Sequence, residues 1–311
     1  MKREWECVVV GGGAAGLIAA LVLGRARRRT LVVDANEQSN RAAPVIGGLL
    51  GYDQRPPAEL YAVGRRELAA YPSVEHRTGE VVSGVRTGDG YELELDDGSS
   101  VRTRRVLLAT GMQYCPTDIP NLADFWGDSV FQCPFCHGWE VRDKRLAALA
   151  SREEGVHDAL MLRGWSDDVV LLTNGPSKLS ADNRRLLDAA KVTIDERRVA
   201  ELIGENGRLA EIAFDDGARL ARDGLLVQAP LRQRSPLAEK LGVELRSGSA
   251  MPGQVDVNAQ HETSAPAVFA AGDICTQQPH VTGAIDSGSR AAMSIVQSLL
   301  ADEYGLPYPP N

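Results

Sequence analysis

Residues 7–16 read Cys7-Val8-Val9-Val10-Gly11-Gly12-Gly13-Ala14-Ala15-Gly16, and Leu17 to Leu23 and Leu31-Val32-Val33-Asp34 follow. An apolar strand, a G-x-G-x-x-G turn, an apolar helix and a second strand closed by an acid form the pattern of a dinucleotide-binding unit. Gly11 permits the turn, Gly13 lets backbone approach a pyrophosphate, and Gly16 allows the helix to pack closely on the strand. The helix start at Ala14 and Ala15 offers free N–H groups and a positive dipole end to phosphate oxygens. Asp34, 18 residues after Gly16, is expected to accept hydrogen bonds from an adenosine ribose.

Outward from this unit the α/β pattern continues. A helix is predicted from Pro57 to Ala70, and short strands from Val81 to Val106 suggest a β-meander. Val106-Leu107-Leu108-Ala109-Thr110-Gly111 reads as a buried strand ending in a tight turn. A second βαβ-like stretch has strands at Leu146–Leu149 and Asp168–Leu172 around a helix at Gly155–Leu162. Val192–Ile203 and Leu209–Phe214 read as further strands, with Asn206-Gly207 and Asp216-Gly217 as hairpin turns. Near the end, Ala267–Ala271 is a buried strand closed by Gly272-Asp273, and Ala284–Leu300 is an apolar-faced helix. The tail from Gly305, with three prolines, cannot continue it.

The chain has 311 residues and a net charge of −8, so it has no bulk attraction for nucleic acid or anionic lipid. Glycine is the unusual entry in its composition, at 31 residues. No apolar run reaches the roughly 18 residues of a transmembrane helix, and no secretory leader is expected before the first strand. A cytoplasmic protein is expected. Five cysteines are odd in number and sparse, which argues against a secreted disulfide framework.

The sharpest chemistry lies in Cys133-Pro134-Phe135-Cys136-His137-Gly138-Trp139-Glu140. Two thiols three residues apart can close a disulfide across the first turn of a helix, and a helix N-terminus lowers thiol pKa. Pro134 fits that first turn, and His137 is a candidate proton carrier because imidazole titrates near neutral pH. Three other readings stand beside the redox dithiol: covalent haem attachment, a zinc site, and two core cysteines that happen to be three apart. Haem attachment requires another compartment, and zinc lacks a second cysteine pair; no metal is expected. Cys7, Cys115 and Cys275 read as packing residues, and His76, His157 and His261 as surface or loop residues. His280 is either structural or close enough to Gly272-Asp273 to approach a cofactor.

Together these segments resemble the low-molecular-weight thioredoxin reductase family. The likeness runs in order through Gly11–Gly16, Ala109-Thr110-Gly111, Phe125-Trp126-Gly127, the cysteine string, Ala271-Gly272-Asp273 and Gly288-Ser289-Arg290-Ala291-Ala292. It implies two Rossmann-like three-layer α/β domains, the first split by the second. Residues 1–114 plus 246–311 would bind FAD, and 115–245 would form an NADPH-like domain carrying the cysteine pair. By the same resemblance Ala109, Thr110, Gly111, Gly272, Asp273, His280 and Val281 join the glycine turn as FAD contacts. The helix from about Thr282 would face the isoalloxazine, and the protein would be a homodimer.

The departures from the family carry as much information. Family reductases have a second turn, G-x-G-x-x-A, where this chain reads Ala150-Ser151-Arg152-Glu153-Glu154-Gly155. A long side chain at Arg152 obstructs the approach of a pyrophosphate, and Glu153 and Glu154 repel its oxygens. The family's His-Arg-Arg after the next strand is replaced by Thr173-Asn174-Gly175, with Lys178 the nearest cation in sequence. The nucleotide site of the second domain is therefore expected to be degenerate.

His137 after the second cysteine resembles one branch in particular, the FAD-dependent dithiol oxidases that close disulfides in natural products such as gliotoxin and holomycin. That resemblance implies a small-molecule dithiol as substrate, attack on Cys133 as the outer sulfur, Cys136 next to the flavin, and O2 as acceptor giving H2O2. Residues 41–60 would line the approach to the pair. A disulfide reductase fed by NADPH or ferredoxin is the alternative enzyme. The intact cysteine pair argues against a non-catalytic FAD-binding module.

Overall fold

The computed structural model describes residues 4–88, 90–151, 153–247 and 253–309. The chain forms two compact units. One comprises Met1–Ser39, Ala58–Tyr114 and Leu231–Asn311, and the other Asn40–Pro57 and Cys115–Pro230.

The first unit is built on a seven-stranded sheet in the order Val74–Thr78, Thr30–Asp34, Glu4–Val10, Ser100–Leu108, Gly90–Leu95, Val81–Thr87. Its first four strands are parallel, and Val268–Ala270 adds parallel to the far half of Ser100–Leu108. The sequence suggests two strands around Val106, but the structure has one. One edge of it runs parallel to Glu4–Val10 over most of its length, and the other pairs antiparallel with Gly90–Leu95 in its first half and parallel with Val268–Ala270 in its second. Side chains along Cys7–Val10 alternate between two cores, as a pleated strand requires. Cys7 and Val9 pack under the helices Ala14–Arg25 and Val281–Tyr304, while Val8 and Val10 pack with Leu31, Leu93 and Leu241. The two helices approach closely because their contact is made of small residues: a Cβ on Gly288 would stand 2.2 Å from the Ala15 carbonyl oxygen.

The second unit has a five-stranded parallel sheet in the order Thr193–Asp195, Val169–Leu172, Leu146–Leu149, Gly224–Val227, Val130–Phe131. Every residue of Leu146–Leu149, Val169–Leu172 and Gly224–Val227 is buried, the pattern of strands covered on both faces. Helices Glu154–Leu162 and Ala181–Ala189 contribute Val156, Ala159, Leu162 and Leu187 to one core. A three-stranded antiparallel sheet contributes Leu202, Leu209, Ile212 and Phe214 to the other.

Val192–Ile203, expected as one strand, divides into Thr193–Asp195 and Val199–Glu205. Asp195 gathers Arg197 through its backbone N–H and its guanidinium, and the chain turns out of the parallel sheet there. The hairpin at Asn206-Gly207 has φ of +52° and +77°, as its residues indicate. Residues 231–245, assigned by sequence to the second domain, pack with the first unit: Leu231–Gln233 pairs with Met112–Tyr114, and Leu237, Ala238 and Leu241 enter its core. Residues 40–57 group with the second unit.

Candidate active site

The glycine turn of the first unit is packed from behind and open in front. A Cβ on Gly11, whose φ is +105°, would stand 2.3 Å from the Ala109 carbonyl oxygen, and one on Gly16 would stand 1.8 Å from the Gly11 carbonyl oxygen. Around Gly13 only Gln38 Cγ comes within reach, at 3.8 Å. Gly13 caps the helix with no side-chain hydrogen bond, so the first N–H groups of that helix are open to a ligand. Beside them Gln38 Oε1 is buried and, among the described residues, has no partner. Space, open donors and an orphaned acceptor together fit the diphosphate and sugar of a dinucleotide.

Asp34 does more here than sequence reading assigns. Its Oδ1 accepts from the N–H groups of Gly12 and Asn36 at 3.0 Å, and Gln38 Nε2 donates to Oδ2 at 3.2 Å. Burial raises the pKa of its carboxyl, but His76 and the N–H groups of Asn36 and Gly12 bring it below the usual range. The acid at the strand end therefore fastens the glycine turn from within. Gln38, a glutamine four residues past the strand, carries no sequence signature.

Ala109, Thr110, Gly111 and Gly272 come to the same end of the sheet. The Ala109 N–H donates to the Val10 carbonyl at 2.8 Å, the Ala271 N–H donates to that of Leu108 at 3.0 Å, and Gly111 has open space at φ +65°. Gly272, at φ +84°, sits 3.0 Å from Ala15 Cβ by its own Cβ position. Asp273 follows, and no donor among the described residues reaches its carboxylate. Burial pushes its pKa up to about 6 against the opposing pull of His280. His280 caps the helix beginning at Val281; its Nδ1 lies 2.6 Å from the Gln278 carbonyl, and its ring lies over Gly283.

The cysteine turn belongs to the second unit. Cys133 is the N-cap of a single helical turn, Pro134–His137, with Pro134 at its first position. The Cys136 N–H donates to the Cys133 carbonyl at 3.2 Å, and that of Gly138 to Pro134 at 2.7 Å. The sequence suggests a helix whose dipole activates the thiols; one turn sums too few peptide dipoles for that. His137 stacks on Phe131 with ring centroids 5.6 Å apart, and its Nδ1 lies 3.4 Å from the Cys133 carbonyl. Burial lowers its pKa below the ordinary histidine value, more than the nearby carbonyls and carboxylates raise it.

Residues 46–55 lie against this turn. Ile46 and Arg55 form a bridge that closes the segment, and Gln54 Nε2 donates to Glu140 Oε1 at 2.7 Å. Phe135, between the cysteines, is 75% exposed with its edge toward Trp165, and Leu50 at the tip of the segment is 97% exposed. Glu140 closes the cysteine string in the sequence with no role of its own legible there, and Gln54 carries no sequence signature.

The second unit repeats the backbone of the first glycine turn without its glycines. The Ala150 N–H donates to Leu172 as that of Gly11 does to Val33, and Leu149 pairs with Leu172 as Val10 does with Val33. Counting from Ala150, Arg152 takes the place of Gly13 and lies outside the described residues. Gly155 takes the place of Gly16: its Cβ would stand 2.8 Å from Ala150 Cβ. The packing glycine is kept and the pyrophosphate glycine is not. The lack of a cation beyond the strand needs correction, because Val199–Glu205 brings the Arg198 guanidinium 4.0 Å from the Cβ position of Gly175. Arg184 is committed to Glu196 at 2.8 Å.

Among the described residues no group of three or more His, Cys, Asp or Glu side chains is placed to hold a metal ion, and no helix is long and apolar enough to cross a membrane.

Two dinucleotide-type folds, the second carrying a C-x-x-C turn, define a nucleotide-dependent thiol–disulfide oxidoreductase. The chain belongs to the pyridine nucleotide-disulphide oxidoreductase family, which it matches over residues 5–288. It is 32% identical to thioredoxin reductase tcpT of Claviceps purpurea over 311 residues, covering 96% of each chain. It is 28% identical to thioredoxin reductase aclD of Aspergillus oryzae, covering 96% of this chain and 98% of that one. Among solved structures, HlmI aligns at 34% identity and a TM-score of 0.91 over 98% of this chain and 96% of its own. An oxidoreductase from Agrobacterium tumefaciens aligns at 33% and 0.90 over 96% and 99%.

Proposed function

We propose that this chain is an FAD-dependent dithiol oxidase that closes an intramolecular disulfide in a small-molecule dithiol through Cys133 and Cys136. The observation that carries the reading is the contrast between its two turns. The first keeps Gly11, Gly13 and Gly16 with open space at Gly13. The second keeps only Gly155, with Arg152 in the sequence where a pyrophosphate needs bare backbone. A nucleotide that cannot dock cannot deliver hydride, so electrons enter at the cysteines.

The residues that would hold FAD are those of the first glycine turn together with Gly272 and Asp273, whose unmatched carboxylate suits a sugar or ribityl hydroxyl. When bound, FAD supplies a two-electron sink and reaction with oxygen, giving hydrogen peroxide. The chain's own residues do the rest. One substrate thiolate attacks Cys133, and Cys136 leaves as a thiolate. The second substrate thiolate attacks the substrate sulfur of the mixed disulfide, which closes the product ring and releases Cys133. His137, neutral near pH 7 because burial lowers its pKa, takes up a proton. Exposed Phe135 and Leu50 offer apolar contact to a small molecule at the pair.

A disulfide reductase fed by NADPH or ferredoxin is the second reading, favoured by the names of the relatives. Cys136→Ser separates a redox role from a structural one. The variant should bind FAD as the wild type does and lose turnover with a dithiol; loss of FAD instead would make the cysteine a packing residue.

A further inference from the structure

The turn that carries the cysteines buries two hydrogen-bond acceptors that have no partner among the described residues. A carbonyl only accepts, so the contact of His137 Nδ1 with Cys133 at 3.4 Å puts the ring hydrogen on Nδ1 and leaves a lone pair on Nε2. That Nε2 is buried and, among the described residues, has no partner. Three residues on, the Glu140 N–H donates to the His137 carbonyl at 3.2 Å. Glu140 gives Oε1 to Gln54, and its Oε2 is also buried without a partner. A buried polar atom left unsatisfied is costly, and two acceptors cannot satisfy each other. One proton on Nε2 would turn it into a donor, the kind of partner that Glu140 Oε2 lacks.

The carbonyls of Cys133 and Gly127 and two carboxylates, Glu140 and Asp128, act on the imidazole. Asp128 is neutralised, since Arg208 Nη1 meets both its oxygens at 2.6 Å. Glu140 is held by a neutral amide and has no cation on it among the described residues. Cys133 and Cys136 are the other titratable groups of the turn. The carboxylate whose charge is not already offset is therefore the one tied, through Gln54, to the segment over the cysteines.

We infer that Glu140, clamped by Gln54, is the positioning residue that makes His137 the proton acceptor of the dithiol step. The inference rests on the dithiol oxidase reading. A substrate S–H bond breaks and its proton goes to His137 Nε2, whose new N–H donates to Glu140 Oε2. The thiolate sulfur bonds to Cys133 Sγ as the Cys133–Cys136 bond breaks, and Cys136 leaves as a thiolate whose charge the imidazolium offsets. When the second substrate thiol closes the product, its proton ends on the released Cys133. The electron pair taken from the substrate then rests on the enzyme dithiol.

Glu140→Gln keeps the size of the side chain and a contact for Gln54 while removing the charge. The test follows the anaerobic reduction of the holoenzyme by dithiothreitol across pH, together with the titration of the His137 ring by NMR on histidine-labelled protein. The rate near pH 7 should fall about tenfold or more, the scale of losing an orienting partner. The acid limb of the rate and the ring titration should move together to lower pH by about one unit, while Glu140→Asp keeps both near their wild-type positions. Wild-type limb and ring titration in Glu140→Gln would overturn the inference. If the wild-type holoenzyme is not reduced by the dithiol, the oxidase reading fails, and the ring titration alone still decides whether Glu140 acts on His137. Should Glu140→Gln fail to fold, Gln54→Ala cuts the clamp and keeps the charge. A slower rate with an unmoved limb then supports the inference, and an unchanged rate overturns it.

Discussion

The carbonyl oxygen of Cys136 lies 2.7 Å from where a Cβ on Gly47 would stand. Residue 47 therefore has to be glycine for the segment 46–55 to rest on the cysteine turn, since a backbone atom at that distance cannot swing aside as a flexible side chain would. Gly47→Ala should displace Cys136 and slow reduction by a dithiol at least tenfold or so, the cost of a small misplacement of a reacting group. Dinucleotide binding by the first unit should be unchanged. Rapid-mixing reduction and an FAD titration check both halves; a normal rate would mean the segment gives way without disturbing the turn.

Gly13 and Gly16 stand three residues apart with opposite expected outcomes. A Cβ on Gly16 meets the Gly11 carbonyl oxygen at 1.8 Å, so Gly16→Ala should destabilise the first unit by roughly 3 kcal/mol or more. Gly13 has open space, and Gly13→Ala should leave stability within about 0.5 kcal/mol while weakening FAD binding. Thermal melts of the cofactor-free protein beside FAD titrations distinguish the two.

Asp273 is expected to oppose folding and favour binding. Burial lifts its pKa from 3.8 to about 6, so its folded form binds protons more readily than its unfolded form. Its stabilising contribution is present below pH 3.8 and is lost as pH rises through about 6. Asp273→Asn should therefore stabilise the cofactor-free protein above pH 6 by on the order of 1–3 kcal/mol, and should bind FAD less tightly. Denaturant melts at pH 7 that show a less stable variant would contradict this.

His137 gives a dependence of the opposite sign. Burial lowers its pKa, so the unfolded chain binds the proton more tightly. The stability it contributes is present above the unfolded pKa of about 6.5 and is lost as pH falls through the depressed folded value. Half-buried His261 shifts the same way. The dithiol step should share this acid limb, because only the neutral ring accepts a proton. On the Asp273→Asn background, His137→Gln should flatten part of the stability loss between pH 7 and 5 and remove the kinetic limb. A limb that survives this change belongs to another group.

Much of this fold can be read along the chain because local signals and tertiary roles agree. The strand at Cys7–Val10, the turn at Gly11–Gly16 and the hairpin at Asn206-Gly207 each announce themselves within a few residues. The misreadings arise where pairing decides. Nothing local says that Ser100–Leu108 serves two sheet regions, or that the chain leaves the parallel sheet after Asp195. The site divides in the same way. Cys133, Cys136 and His137 stand out as a string, while Gln54 reaches that turn from 86 residues away, Gly47 comes from the same segment, and neither has a pattern of its own. Asp34 shows the remaining limit: its position is legible, but its hold on the Gly12 N–H is visible only in three dimensions.

The direction of electron flow is tested most directly by offering the FAD-loaded protein two donors under argon, a small dithiol and NADPH. The dithiol should bleach the flavin rapidly through Cys133 and Cys136, and admitting air should restore the colour with one hydrogen peroxide formed per product disulfide. NADPH should leave the flavin oxidised over the same time. Rapid bleaching by NADPH, with the dithiol inert, would contradict the account.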